Sequence, residues 1–203
     1  MLQVFSHLNM NNIFYYMKLI IVFFLLIFLC LVGFSQKPND IIDSKNINLK
    51  LLTELITKKC NIKRIGFDNE PLNYDKVAYD AAKYQCDYLS DKNFGISHYN
   101  SRQHNGVLLQ TPNDRVFYFN KKNKDISDFD GEIINMVRVT ELTYDSLSTL
   151  VIQSFMDSEG HRFIMTQIKS FKNIKCYGAF AVTYNYITKM LYVTGVFTSK
   201  YEK

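Results

Sequence analysis

Leu49, Leu52, Ile56 and Cys60 recur at three- and four-residue intervals, and Leu51 and Leu55 widen the stripe. That spacing predicts a helix over Asn48–Cys60. A second stripe, Val77, Ala78, Ala81, Ala82, Tyr84 and Tyr88, predicts a helix capped by Asn73 or Asp75 and running to about Ser90. Its alanines allow a sheet or another helix to approach closely. From Tyr99 to Gly131 no period is sustained beyond a short Asp114–Phe119 element. A stretch that long inside a compact domain is usually either functional or an error in assignment, and it is read here as a partly ordered cleft wall. Gly131-Glu132 opens a strand, Ile133 to Leu142, in which Ile134, Met136, Arg138 and Thr140 alternate with Ile133, Asn135, Val137 and Val139. Thr143 or Asp145 caps a third helix with Leu147, Leu150, Val151, Ser154 and Phe155 on one stripe. It breaks at Ser158-Glu159-Gly160, where the Ser158 hydroxyl is placed to cap a short helix, His161–Ile168. Two runs of β-formers, Ile174–Tyr184 and Met190–Ser199, are joined by the hairpin loop Asn185–Lys189. Helices first, then a helix followed by a strand pair, predict an α+β layered domain, without internal repeat or second domain.

The N-terminus changes the picture. Leu19–Phe34 is an apolar run preceded by Lys18 and followed by small and polar residues. It is short for a membrane span and has the layout of a secretory signal. Gly33 and Ser35 suit cleavage before Gln36, and Met17 is an economical start. The expected organisation is a signal peptide over 1–35, a polar tether over 36–47 and one domain over 48–203. The mature protein is then secreted or periplasmic, touching a membrane only if the segment stays uncleaved. Leu29 is too large to precede a lipidated Cys30. Export would leave Cys60, Cys86 and Cys176, of which one pair could close, and their spacing does not identify it. No CxxC is present, which disfavours a structural zinc site.

Hydrophobic residues make up 47 % and aromatic residues 15 % of the chain, enough to bury a core and to exclude a disordered tail. The net charge of +5 comes from lysines interleaved with acids, as in Lys121-Lys122-Asn123-Lys124-Asp125, and not from a basic helix. Nucleic acid is not an expected partner.

His98, Glu132 and His161 stand at the end of the second helix, the start of a strand and the start of the short helix. Two imidazoles and a carboxylate suit a divalent cation, or general acid–base work on a bound water. A helix N-terminus disfavours imidazolium, so His161 is placed to stay neutral. His104 in the polar stretch is read as solvated. No Gly-x-Ser-x-Gly elbow, phosphate loop or dinucleotide fingerprint occurs.

The ordered series resembles the CAP superfamily (cysteine-rich secretory proteins, antigen 5, pathogenesis-related proteins; SCP-like) in its shorter bacterial form. It covers the Leu-rich first helix, the Ala-rich second helix ending in Ser97-His98, Thr111-Pro112-Asn113-Asp114-Arg115 and Gly131-Glu132. Ser158-Glu159-Gly160-His161-Arg162 follows, then Cys176–Ala181 and Tyr192–Phe197. The resemblance spans roughly Leu49 to Phe197. It implies a three-layer α–β–α sandwich with helices on both faces of a central antiparallel sheet. It also implies a cleft holding two histidines and two acids around a divalent cation, zinc-like or calcium. His98, Glu132 and His161 match three of those positions. The fourth, an acid, falls by register near Ser158, flanked by Asp157 and Glu159. Ile133 stands where the family usually has Asn, and Phe155 where it commonly has Trp. The family includes lipid and sterol binders, venom components, defence proteins and claimed proteases. The expectation is a secreted, non-enzymatic domain binding a divalent cation, a small apolar (lipid or sterol-like) ligand, or both. The alternative is a hydrolase using His98, Glu132 and His161.

Overall fold

The computed structural model describes residues 16–24, 36–92, 95–167 and 174–201. The chain divides into two units, Met1–Gln36 and Lys37–Lys203. In the first, residues 16–24 are helical with exposed apolar side chains. The later part of the apolar run, with Cys30 and the Gly33/Ser35 cleavage site, lies outside the described residues, as does Ile168 at the end of the expected short helix. No helix among the described residues is long and apolar enough to cross a membrane.

The second unit is built from α1 (Leu49–Gly66), β1 (Asn73–Tyr74), α2 (Lys76–Lys92), β2 (Gln103–His104), β3 (Val107–Leu108) and α3 (Pro112–Asn123). These are followed by β4 (Asp128–Arg138), α4 (Tyr144–Asp157), α5 (Glu159–Gln167), β5 (Ile174–Asn185) and β6 (Met190–Tyr201). The main sheet runs in the order β1-β5-β6-β4, and β2-β3 is a separate hairpin. β5 and β4 both pair antiparallel with β6, while the two-residue β1 is parallel to β5. The sheet is therefore mixed at one edge. Strand alternation sends successive side chains to opposite faces. Phe180, Val182, Leu191, Val193 and Phe197 meet α1 and α4, with Leu52, Ile56, Leu147, Val151 and Phe155. Ala179, Ala181, Tyr192 and Val196 meet α2 and α3, with Val77, Ala78, Ala81, Val116 and Phe119. Each large apolar side chain so buried stabilises the fold by about 1.5–3 kcal/mol. The result is an α–β–α sandwich with the core in two layers.

Four elements differ from the periodicity. α1 continues six residues past Cys60 because its last turns invert the usual pattern: Ile62 and Ile65 are exposed and Arg64 is buried. The Arg64 guanidinium donates from Nε to the Glu70 carbonyl and from Nη1 to the Met165 carbonyl, both at 2.9 Å, tying α1 to the end of α5. α3 lies in the stretch without a sustained period and extends the short element expected over Asp114–Phe119 at both ends. Its capping box, Thr111 with Asp114, and Pro112 at the first position start it, and Lys124 in a left-handed conformation ends it. β4 starts at Asp128 and stops at Arg138, shifted toward the N-terminus relative to Ile133–Leu142. Residues 36–47 are no free tether: Ile42 and Ile47 are buried, the Ile42 amide donates to the Leu142 carbonyl at 2.9 Å, and the Asp145 amide donates to the Pro38 carbonyl at 2.8 Å.

Among the described residues no disulfide forms, and Cys60, Cys86 and Cys176 are all buried. Cys60 lies in the α1–α4 layer and Cys86 in the α2–α3 layer, with the sheet between them. Burial pushes both thiols up to about 12.

Candidate functional site

Three elements deliver the central cluster. Glu132 follows the bulge between Phe129 and Gly131 in β4 and pairs with Val196, and alternation turns it toward α3. Its side chain is 1 % exposed. α3 presents Arg115, fully buried, on the same stripe as Phe119. Its Nη2 donates to Glu132 Oε2 at 2.7 Å and to the His98 carbonyl at 3.2 Å, and its Nη1 donates to the Gln110 carbonyl at 3.3 Å. The loop after α2 brings His98, whose Nδ1 lies 2.9 Å from Glu132 Oε1.

That loop is itself fixed. Gln85, buried in α2, donates to the Ser97 carbonyl at 2.5 Å and accepts from Asn100 Nδ2 at 3.1 Å. The Asn100 amide donates to the Gln110 carbonyl at 2.9 Å. The His98 ring, 47 % exposed, is thus held at the rim while the acid beneath it is buried. Against a carboxylate that already faces a guanidinium, Nδ1–H is the donor, which leaves Nε2 as an acceptor toward solvent.

His161 sits at the third position of α5, its ring edge-on to Phe155 with centroids 5.5 Å apart. Burial lowers its pKa below the ordinary 6.5, and the nearby His98 imidazole lowers it further. The helix start is made by backbone, not by the expected side-chain cap: the Ser158 carbonyl accepts from the Arg162 amide at 2.8 Å, and Ser158 closes the C-terminus of α4. Gly131 brings β4 against α5 so closely that a Cβ there would lie 2.7 Å from Ile164 Cγ2.

The structure therefore brings His98 and Glu132 into direct contact, with His161 near enough to His98 to feel its charge. It does not bring Asp157 or Glu159 to them. Both acids are exposed, and Asp157 instead accepts from Gln153 Nε2 at 2.7 Å one turn back along α4. The group completing the cluster is a base, Arg115. Its signal in the sequence was a charged residue on the apolar stripe of a capped helix. His104 is partly buried rather than free in solvent: it packs edge-on against Tyr84 and Tyr118, each with centroids 5.2 Å away.

Among the described residues no group of three or more His, Cys, Asp or Glu side chains is arranged to hold a metal ion. Both oxygens of Glu132 are engaged, one by His98 and one by Arg115. The donors left are nitrogens, on His98 and His161. Two such nitrogens are of the ligand type a zinc-like ion takes, with the carboxylate outside them, but fall short of the three or four protein ligands of zinc sites; they do not suit calcium, which takes six to eight oxygens.

No family model matches the sequence, and no curated protein sequence matches it. The fold is similar to that of an outer surface protein from Borrelia burgdorferi, with a TM-score of 0.51 at 15 % identity over 81 % of this chain and 99 % of that one. An extracellular protein containing an SCP domain from Bacillus anthracis is similar with a TM-score of 0.45 and 21 % identity over 71 % of this chain. A cysteine-rich secretory protein from Staphylococcus aureus has a TM-score of 0.47 and 13 % identity over 75 % of this chain. The chain spans 40 % of the length of each of those last two proteins.

Proposed function

We infer that this chain, whose fold is that of the SCP/CAP domains, is an exported binding domain whose His98–His161 cleft seats a zinc-like divalent cation. The observation carrying this is the Glu132 carboxylate: it takes His98 Nδ1 at 2.9 Å and so leaves Nε2 as a lone-pair donor. Carboxylate–histidine pairs of this kind orient ring ligands in metal sites. His161 supports it, because burial favours the neutral imidazole that ligation requires. His98 and His161 would hold the ion, which would supply Lewis acidity toward a bound ligand. Glu132 orients His98, and Arg115 keeps Glu132 from joining the ligand set. Export rests on the apolar run Leu19–Phe34 after Lys18.

Zinc titration by calorimetry on the Lys37–Lys203 unit is expected to show one site, lost in a His98→Ala/His161→Ala variant. Equal, negligible heats in both proteins would sink the cation seat. The same cluster is the one a hydrolase would use. A turnover abolished by His161→Ala, with the circular dichroism spectrum unchanged, would replace the binding function by that one.

A further inference from the structure

The outward stripe of α3 carries an aromatic side chain where a solvent-facing helix usually carries a polar one. Asp114, Phe117 and Lys121 recur at three- and four-residue intervals and all face solvent, Phe117 at 71 %. Beside them stands the β2–β3 hairpin with Val107 and Leu108, 46 % and 47 % exposed. These side chains share one open depression of about 560 Å³ with Tyr118 and Lys122. A single exposed apolar residue needs no account, but three around one depression with charge at its rim mark an interaction surface.

The hairpin is held in place against the helices. His104 packs edge-on on Tyr84 and Tyr118, with ring centroids 5.2 Å from each, and Asn105 Nδ2 donates to the Tyr118 hydroxyl at 3.3 Å. Asn105 and Gly106 at its tip both have positive φ, as a tight two-residue turn requires. The apolar face is therefore built into the fold.

Charge gives the sign of the occupant. Lys121 and Lys122 line the depression, and Lys124 follows as the left-handed residue that ends α3. All three are exposed, and among the described residues none is in an ion pair, whereas Lys76, Lys83 and Lys200 each are. The acid in the wall, Asp114, is held by the capping box, where it accepts from the Thr111 amide at 2.8 Å. Two lysines against one acid leave the wall net positive.

The scarcity of hydrogen-bonding side chains gives the class of the occupant. With Asp114 taken by Thr111 and the Tyr118 hydroxyl by Asn105, the wall offers the backbone of a docked peptide little to pair with. Covering amides with apolar surface and no partner is costly. Acyl chains carry no such groups, and phosphates match the lysines.

We propose that the outer face of α3 and the β2–β3 hairpin form a docking surface for an anionic lipid bilayer. Phe117, Val107 and Leu108 enter the boundary between headgroups and acyl chains, and Tyr118 lies at headgroup level. Lys121, Lys122 and Lys124 lie against the phosphates. His98, Glu132 and His161 take no part in this surface, so it holds whether or not their cleft binds metal.

The chain contains no tryptophan, so Phe117→Trp in the full chain places a single fluorescent reporter on the face. Tyr186→Trp places one in the loop between β5 and β6 as a control. Phosphatidylcholine vesicles containing phosphatidylglycerol are expected to shift the Phe117→Trp emission to shorter wavelength. Bromine-labelled acyl chains are expected to quench it and to leave Tyr186→Trp unaffected. Adding Lys121→Glu and Lys122→Glu is expected to raise the lipid concentration needed by about tenfold or more. The proposal is overturned by an emission that does not move, by an equal shift with phosphatidylcholine alone, or by lysine reversals without effect. Equal quenching of both reporters would assign the binding to the apolar run Leu19–Phe34 and overturns it too. So does a shift produced by an acidic peptide but by no vesicle, which would make the face a protein-docking site.

Discussion

Arg115 and Glu132 illustrate how one residue decides the character of the cluster. A guanidinium with no exposure and a carboxylate with 1 % face each other at 2.7 Å. Removing one partner of a buried pair leaves the other uncompensated, so Arg115→Met is expected to destabilise the protein by about 3–5 kcal/mol in a denaturant titration. Glu132→Gln keeps a hydrogen-bond acceptor toward Arg115 and should cost less than that; an equal or larger loss would show that the charge of the carboxylate, and not its hydrogen bond, holds the cluster. Gly195 is a second such position. A Cβ there would lie 2.6 Å from Cε1 and 3.0 Å from Cδ1 of the buried Phe180 ring. Gly195→Ala is expected to cost about 1–3 kcal/mol by overpacking, and a neutral result would mean that the ring can swing aside.

At the scale of elements, α3 is the informative case. Its apolar stripe is interrupted by Arg115, which masks the helical period, and only the Thr111–Asp114 box with Pro112 marks where it begins. Thr111→Ala is expected to lower stability by about 0.5–2 kcal/mol, with loss concentrated in amide-exchange protection of the first turn of α3. The end of α1 was hidden for a related reason: hydrophobic periodicity assumes that apolar residues face inward, and there Ile62 and Ile65 face out while Arg64 reaches in to carbonyls. By contrast β5 and β6 were legible as two runs of β-formers with a hairpin loop between them, because strands buried on both faces read as near-continuous apolar runs. Asp75, one of the two caps considered, does accept from the Val77 amide at 3.0 Å, while its other oxygen accepts from Thr198 at 2.6 Å.

Across the whole molecule, the sheet keeps the thiols apart and inert. Cys60 and Cys86 are fully buried with pKa values raised to about 12, so alkylation of these two thiols at pH 8, located by peptide mapping, is expected to be negligible in the folded protein and complete after unfolding. Rapid labelling of the native state, read by mass spectrometry, would contradict that burial. A second global effect is the tie between the α3–β4 connection and the last strand. The hydrogen bond from Lys200 holds the Asp125 carboxyl below its ordinary 3.8. A depressed carboxyl contributes stability above its unfolded pKa and loses it as pH falls through the folded value. The stability gap between the native protein and Asp125→Asn should therefore close below about pH 3.8 and be constant at neutral pH. A gap that persists at lower pH would assign it to packing.

The sequence alone determined the helix stripes, the strand alternation and the layered class, because each is set by which side of a single element meets the core. It also singled out His98, Glu132 and His161, but as three separated positions. The contact of His98 with Glu132 depended on tertiary structure: β4 had to begin early enough to turn Glu132 toward α3, and Gln85 and Asn100 had to hold the His98 loop above it. So did the substitution of a buried arginine for the expected second acid, since Asp157 and Glu159 point to solvent once Ser158 ends α4. The shortness of β1 is likewise a property of topology. It pairs with β5 only at Tyr177 and Gly178 before the chain turns into α2, and no periodicity within β5 itself records what its neighbour does.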